Sequence, residues 1–394
     1  MLTLLQVLDL IFLGIIFVIL IIFIKIILSN KQSVNNVLAN EKKNDYAILI
    51  PARYESKVIA NLLDSIKNQT YKIAFQDVYI IVESEEDETV TIAKKYGASI
   101  FLRTDLTKQR KGYALDECLK MILEKEKKYD AFFIFDADNT LSKDFIQKMN
   151  YCFNSGYDVA SGYRSVNNWD VNRISVCSGL TFTMLNQIGN RMRVNKKQGI
   201  TVFGTGFYIS YDIIKKLGGY PFHSLTEDYE LSLYLTQNKV KSIYYEDAIF
   251  YDEQPTSYKQ SKKQRLRWCK GYFEARKKFK KDRFQKSLSI LPIVALVVYV
   301  VLYVFFMFIL AAFNVSDLRF AFIFRLIATL FFLYMALLLF TLYLLNIEKS
   351  KMKFKSCLKA IFYNPFFLAE YAIIAVKALC VKDVKWDRID HNGS

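Results

Sequence analysis

Hydrophobic and polar positions change their spacing several times along the chain, and each change marks an element. Residues 46–50 are apolar without a break up to Pro51, as in a short strand buried on both faces. Within residues 55–67, Val58, Ile59, Leu62, Leu63 and Ile66 recur at helical spacing. Strand patterns return at 77–82, 98–102 and 132–135, with helical patterns at 88–96 and 114–127 between them. This alternation predicts a mainly parallel sheet covered by helices. The predicted strands run into polar residues: Arg53 and Glu55, then Glu83, then Asp136 and Asp138. Ligands of open α/β sheets gather at the carboxyl ends of the strands, so these groups converge where a nucleotide would sit.

Elsewhere the pattern becomes unbroken apolar runs. Those at 10–28, 290–313 and 321–345 are long enough for a bilayer core, which takes about 20 residues. A further run near 361–381 is interrupted by Asn364-Pro365 and contains Glu370 and Lys377. Between these runs, residues 44–285 have the mixed composition of a soluble domain. The first run lacks a basic segment before it and a small-residue cleavage site after it, which predicts an uncleaved anchor. Lys25 lies near its end, Lys31, Lys42 and Lys43 follow, and five lysines fall within 346–359. The positive-inside rule then predicts a multi-pass plasma-membrane protein with its globular domain in the cytoplasm and its N-terminus outside. Glu370 either lines a channel for the product, as charges at membrane depth often do, or sits near the headgroups.

Charge and composition narrow the partners. The 394-residue chain has a formal net charge of +16. Residues 259–286 hold thirteen Lys or Arg against Glu274 and Asp282. A helix of that kind suits anionic membrane lipids, and its direct link to an apolar run argues against nucleic acid. Six cysteines are scattered without a C-x-x-C pair and read as free thiols. With only His223 and His391, a histidine-based zinc site or a Ser-His-Asp triad is excluded as a working reading. No P-loop or G-x-G-x-x-G pattern occurs.

Several short motifs carry chemistry. Asp136 and Asp138 follow four large apolar residues, and two hard oxygen ligands there suit Mg²⁺ or Mn²⁺ holding phosphates. Asp and Asn also favour a turn for local reasons alone. Lys111 beside Gly112 at a helix start suits either a phosphate contact or a solvated turn. Gly204, Thr205 and Gly206 allow close backbone approach to a ligand, or a bulge. Thr226 is placed as an N-cap with Glu227 and Asp228 in the first turn. The helix dipole accounts for such acids, and the same pair can supply a general base. Arg267 suits a diphosphate, and Trp268 suits stacking on a sugar.

Taken in order, Asp136-x-Asp138, Thr226-Glu227-Asp228 and Gln264-x-x-Arg267-Trp268, before a group of apolar runs, resemble the membrane-embedded processive glycosyltransferases of family 2. These make cellulose, mixed-linkage glucan, poly-N-acetylglucosamine, chitin oligosaccharide or hyaluronan. The resemblance implies an α/β GT-A domain, a Rossmann-like mixed sheet, at 45–258. An anchor at 1–30 and a linker at 31–44 precede it. A basic interfacial region at 259–289, about three transmembrane helices within 290–381 and a tail at 382–394 follow. It implies inverting transfer from a UDP-sugar, most simply UDP-glucose, to a growing β-glucan that crosses the membrane.

The resemblance also implies roles. Asp138 resembles the main metal ligand, with Asp136 beside the donor. Asp228 resembles the base, supported by Glu227. Gln264, Arg267 and Trp268 resemble the group holding the diphosphate and the acceptor end. Pro51, Ala52, Arg53 and Glu55 resemble the first nucleotide-binding loop, Lys111 a donor-motif lysine, and Gly204, Thr205 and Gly206 the acceptor-side segment. Glu83 stands where the family commonly has aspartate for uracil. A Phe-x-Val-Thr-x-Lys gating segment is missing from the last third, which weakens cellulose itself as the product. Other hexose polymers, transfer of one sugar to a lipid, and an inactive transporter or scaffold remain the alternatives.

Overall fold

Three apolar runs become the centre of one eight-stranded sheet. In this computed structural model, which describes residues 37–195, 199–279, 316–348 and 351–381, β1 (Tyr46–Pro51) pairs in parallel with β2 (Val78–Val82), and β2 with β3 (Ser99–Leu102). On its other side β1 pairs in parallel with β4 (Ala131–Ile134). The sheet is completed by β5 (Thr140–Leu141), β6 (Val159–Val166), β7 (Phe207–Ser210) and β8 (Ser242–Asp252). Its order is β3-β2-β1-β4-β7-β6-β8-β5. Because β7 runs antiparallel to both β4 and β6, the predicted parallel arrangement holds for the first half and gives way to a mixed sheet in the second.

Alternation along the strands divides the core in two. Tyr46, Ile48 and Ile50 face α1 (Ile59–Lys67) and α4 (Phe145–Asn154). Ala47 and Leu49 face α3 (Lys111–Leu123). The helix expected at 55–67 begins only at Ile59, for a physical reason. Tyr54 has φ 57°, and the N–H groups of Tyr54 and Glu55 donate to Asp87 Oδ2 at 2.7 Å and Thr89 Oγ1 at 2.9 Å. Asp87 also caps α2 (Glu88–Tyr96), accepting from Thr89 N–H at 2.8 Å. The loop carrying Arg53 and Glu55 is therefore fastened to the neighbouring helix.

Beyond the central strands, α5 (Arg173–Met184) runs into a π-helical segment, Leu185–Arg191. Later helices are α6 (Tyr211–Leu217), α7 (Glu227–Gln237), α8 (Tyr258–Lys278), α9 (Ser316–Glu348) and α10 (Phe354–Cys380). The expected runs at 10–28 and 290–313, and the tail 382–394, lie outside the described residues. The run at 321–345 falls within α9, and Pro365 does not interrupt α10. Among the described residues, α10 is the one helix long and apolar enough to cross a membrane, by length and composition.

Both ends of α10 are tied to the domain: Lys353 N–H donates to Asp170 Oδ1 at 2.9 Å, and Lys270 Nζ donates to the carbonyl of Val381. One face packs on Trp169, Val176 and Leu180 near its start and on Cys269 near its end. The other exposes Phe354, Phe362, Phe366 and Ile373. All six cysteines are free.

At Gly206 the backbone has φ +65°, and an added Cβ would lie 2.1 Å from the Phe250 ring. Gly206→Ala is therefore expected to destabilise the domain by about 3 kcal/mol, by strain and overpacking. Chemical denaturation of wild type and variant checks this.

Candidate active site

The polar strand ends open into a cavity of about 490 Å³. Pro51, Ala52, Arg53, Glu55, Glu83, Lys111, Asp136 and Asp138 line one part, and Gly204, Glu227, Asp228, Gln264, Arg267 and Trp268 another. Of the residues named from sequence, Thr205 and Gly206 stand behind the wall. Thr205 is fully buried and its Oγ1 accepts from Asp136 N–H at 2.9 Å while donating to Asn139 Oδ1. Asn139 Nδ2 donates to Asp252 Oδ1 at 3.0 Å. Arg164 in turn donates to Asp252 Oδ2 from Nε at 3.1 Å and to the Phe203 carbonyl at 2.9 Å. The turn carrying Asp136 and Asp138 is thus braced from β6, β8 and the segment before β7. A local bond, Asn139 N–H to Asp136 O at 3.1 Å, is also present, so the turn chemistry and the site coexist.

Charge is paired at the first end. Glu83 accepts from Arg53 at 2.9 Å and from Arg103 at 3.3 Å, and Arg103 also meets Glu117 at 2.8 Å. Lys111 Nζ contacts Asp136 Oδ1 and donates to the Gly204 carbonyl at 2.7 Å. It reaches that far because α3 presses against the loop before α7. A Cβ on Gly112 would lie 1.9 Å from the Phe222 carbonyl oxygen.

The second end is built by α7 and α8. Thr226 holds the N-cap position, but its hydroxyl makes no capping bond. Tyr229 N–H donates instead to Asp228 Oδ1 at 2.8 Å. From α8, Arg267 donates to the Leu225 carbonyl at 3.2 Å, and Glu274 accepts from Leu225 N–H at 3.0 Å and from Arg110 at 2.9 Å. These bonds clamp the loop leading into Glu227 and Asp228. Trp268 meets Phe182 edge-on at 5.5 Å, and the Arg164 guanidinium lies 3.8 Å from the centre of that same ring. An apolar patch of the wall is formed by Phe182 and Met184 from α5, Leu185 and Ile188 from the π-helical segment, and Leu368 from α10, beside polar residues such as Thr181 and Arg193.

Burial, with the Asp228 charge beside it, pushes the Glu227 carboxyl up to about 7. Burial also raises Asp228, opposed by the Tyr229 N–H bond and the cations Lys111, Arg267 and Arg164. Both carboxyls of the pair are thus held above the ordinary range, and the surrounding cations offset that rise at Asp228. Arg103, Arg110, Arg164, Asp252 and the π-helical wall also belong to the site and were not singled out from sequence. Arg164 sits in a strand whose residues are all buried, and its partner Asp252 lies 88 positions on.

A mixed sheet with carboxylates at its strand ends, an adjacent buried acid pair and a basic clamp defines a GT-A-like glycosyltransferase fold. The chain belongs to glycosyltransferase-like family 2, whose model matches residues 43–271. It is 26% identical over 236 residues to the probable glycosyltransferase YdaM of Bacillus subtilis, covering 57% of this chain and 54% of that protein. The match thus spans about half of that relative. The mannosyltransferase PcManGT of Pyrobaculum calidifontis, solved with GDP-Man and Mn²⁺, is similar in fold, with a TM-score of 0.63. Identity there is 14%, over 96% of this chain and 98% of that one.

A raised carboxyl binds its proton more tightly in the folded state than in the unfolded chain. Stability from Glu227 is thus fully present in acid and is lost as pH rises from about 4.5 through about 7. Without metal or nucleotide, melting temperature is expected to fall across this window, and Glu227→Gln to flatten that decline. An equal decline in the variant would show that Glu227 is not the group responsible.

Proposed function

We propose that this protein is an inverting, processive glycosyltransferase that adds sugar from a UDP-sugar, UDP-glucose in the first instance, to a growing β-glucan and passes the product across the membrane. The observation that carries the catalytic part is the gathering of Asp136, Asp138, Asp228, Arg267 and Trp268 round one cavity. The polymer part rests on the resemblance of Gln264-x-x-Arg267-Trp268 and its neighbours to the processive synthases, and the membrane part on the apolar runs.

The reaction needs few groups. Asp228 takes the proton of the acceptor hydroxyl, with Glu227 beside it in support. Arg267 and Lys111 offset charge developing on the departing diphosphate. A single displacement inverts the anomeric carbon and requires no enzyme nucleophile. Trp268 and Gln264 present the acceptor end. Hard oxygen ligands at a strand end suit Mg²⁺ or Mn²⁺, so Asp138, with the Lys111-paired Asp136 beside it, would hold such an ion. The Mn²⁺ and nucleotide sugar of the Pyrobaculum protein support a divalent ion accompanying the donor. Such an ion supplies Lewis-acid stabilisation of the leaving diphosphate.

A second reading has its own observation. The apolar wall of Phe182, Met184, Leu185, Ile188 and Leu368 suits the chain of a membrane lipid receiving a single sugar.

Membranes containing the protein are incubated with labelled UDP-glucose, and with GDP-mannose in parallel, plus Mg²⁺ or Mn²⁺. Insoluble product digested by a β-glucanase is expected; product confined to the chloroform phase would sink the polymer reading and favour the lipid one. Asp228→Asn is expected to lower transfer by about a hundredfold or more while UDP still binds. Chelation of divalent ions is expected to stop transfer, with Mg²⁺ or Mn²⁺ restoring it.

A further inference from the structure

The α8 helix carries a buried arginine that the proposed reaction does not use. Arg265 is 1% exposed although it lies in the most basic stretch of the described chain. Its Nη2 meets Glu370 Oε2 of α10 at 2.7 Å, and its Nη1 donates to the Phe367 carbonyl at 3.4 Å. The guanidinium lies 4.0 Å from the centre of the Phe367 ring and 5.1 Å from that of Tyr371. Glu370 also accepts from the Tyr258 hydroxyl and meets Lys262 Nζ at 3.1 Å. Tyr258, Lys262 and Arg265 are spaced four and three residues apart, so one stripe of α8 converges on a single carboxylate of the apolar helix. One turn beyond Arg265, Cys269 packs against Ile374, Ala375 and Ala378. The neighbouring face of α8 holds Gln264, Arg267 and Trp268 in the cavity wall, where α10 adds Leu368 and Tyr371.

We propose that the Arg265–Glu370 pair is a positioning latch, which holds α8 against the apolar helix and so sets Arg267 over the donor diphosphate and Trp268 at the acceptor end. The inference rests on the reading of α8 as the diphosphate and acceptor clamp. Both Glu370 oxygens are thereby engaged by side chains of α8. Removing the carboxylate leaves a buried guanidinium without its counter-charge, and the helix has to shift to hydrate that group. The pair thereby couples the seating of α10 to the geometry of the active site.

Cys269 lies both at this contact and in the cavity wall, so its labelling reports the contact when the protein is free of nucleotide. Full-length wild-type protein, Glu370→Gln and Tyr258→Phe are treated with a maleimide in the native state, and labelling at each cysteine is followed by mass spectrometry. Glu370→Gln is expected to raise labelling of Cys269 roughly tenfold through local opening of the α8–α10 contact. Cys118 and Cys152, fully buried beside the central sheet, keep their wild-type rates. Tyr258→Phe, which removes one donor to Glu370, gives a smaller rise. In parallel, calorimetry compares UDP with uridine. Glu370→Gln is expected to lose most of the affinity that the diphosphate adds, while uridine binds as before. If the wild type itself binds UDP no better than uridine, the donor reading fails, and the Cys269 rates still decide the latch. Unchanged Cys269 labelling in Glu370→Gln would overturn the proposal. So would equal acceleration at Cys118, Cys152 and Cys269, since that reports general unfolding and no positioning role.

Discussion

Carboxylates can be crowded into a cavity with apolar walls only if cations share the space. Here Asp136, Glu227 and Asp228 face Lys111, Arg164 and Arg267. The local architecture follows from that balance. Close packing at Gly112 brings the Lys111 ammonium between two groups of acids. Asp252 anchors Arg164 from a neighbouring strand. Leu225 and Glu274 tie α8 to the loop before α7, which keeps Arg267 near Asp228. On the proposed reading the same cations would face the donor diphosphate, which carries negative charge into the cavity.

The site is consequently an assembly of separate layers. The sheet supplies a rigid edge through β1, β2 and β4. In the proposed reaction the second half of the domain supplies the base through α7. The clamp comes from α8, which touches both the domain and the apolar helix α10. Because α7 and α8 are separate elements, a small rotation of α8 would move Trp268 away from Asp228 without disturbing the sheet.

Much of the first half was legible in the sequence because unbroken apolar runs such as Phe132 to Phe135 have few other uses. The strand ends followed directly, and Arg53, Glu83, Asp136 and Asp138 meet where their positions imply. The second half was less legible. Its strand β7 lies antiparallel between β4 and β6, which the alternation of strand and helix does not encode. Arg164 and Asp252 look like ordinary strand residues until β6 and β8 are paired. Thr226 has the composition of a cap but leaves the bonding to Asp228. Arg265 is hidden among surface-type basic residues, and only tertiary packing reveals that it is buried.

The π-helical segment at Leu185–Arg191 gives the cavity wall an unusual dependence on chain length. A π turn accommodates extra backbone relative to an α turn and commonly arises as a local insertion. Each residue of an α-helix turns its successor by about 100°. Loss of one residue here would let the segment relax to α-helix while rotating Leu185 or Ile188 relative to the residues that follow. The shape of this wall is thus held partly by a count of residues, a property that substitution of any one side chain would leave intact.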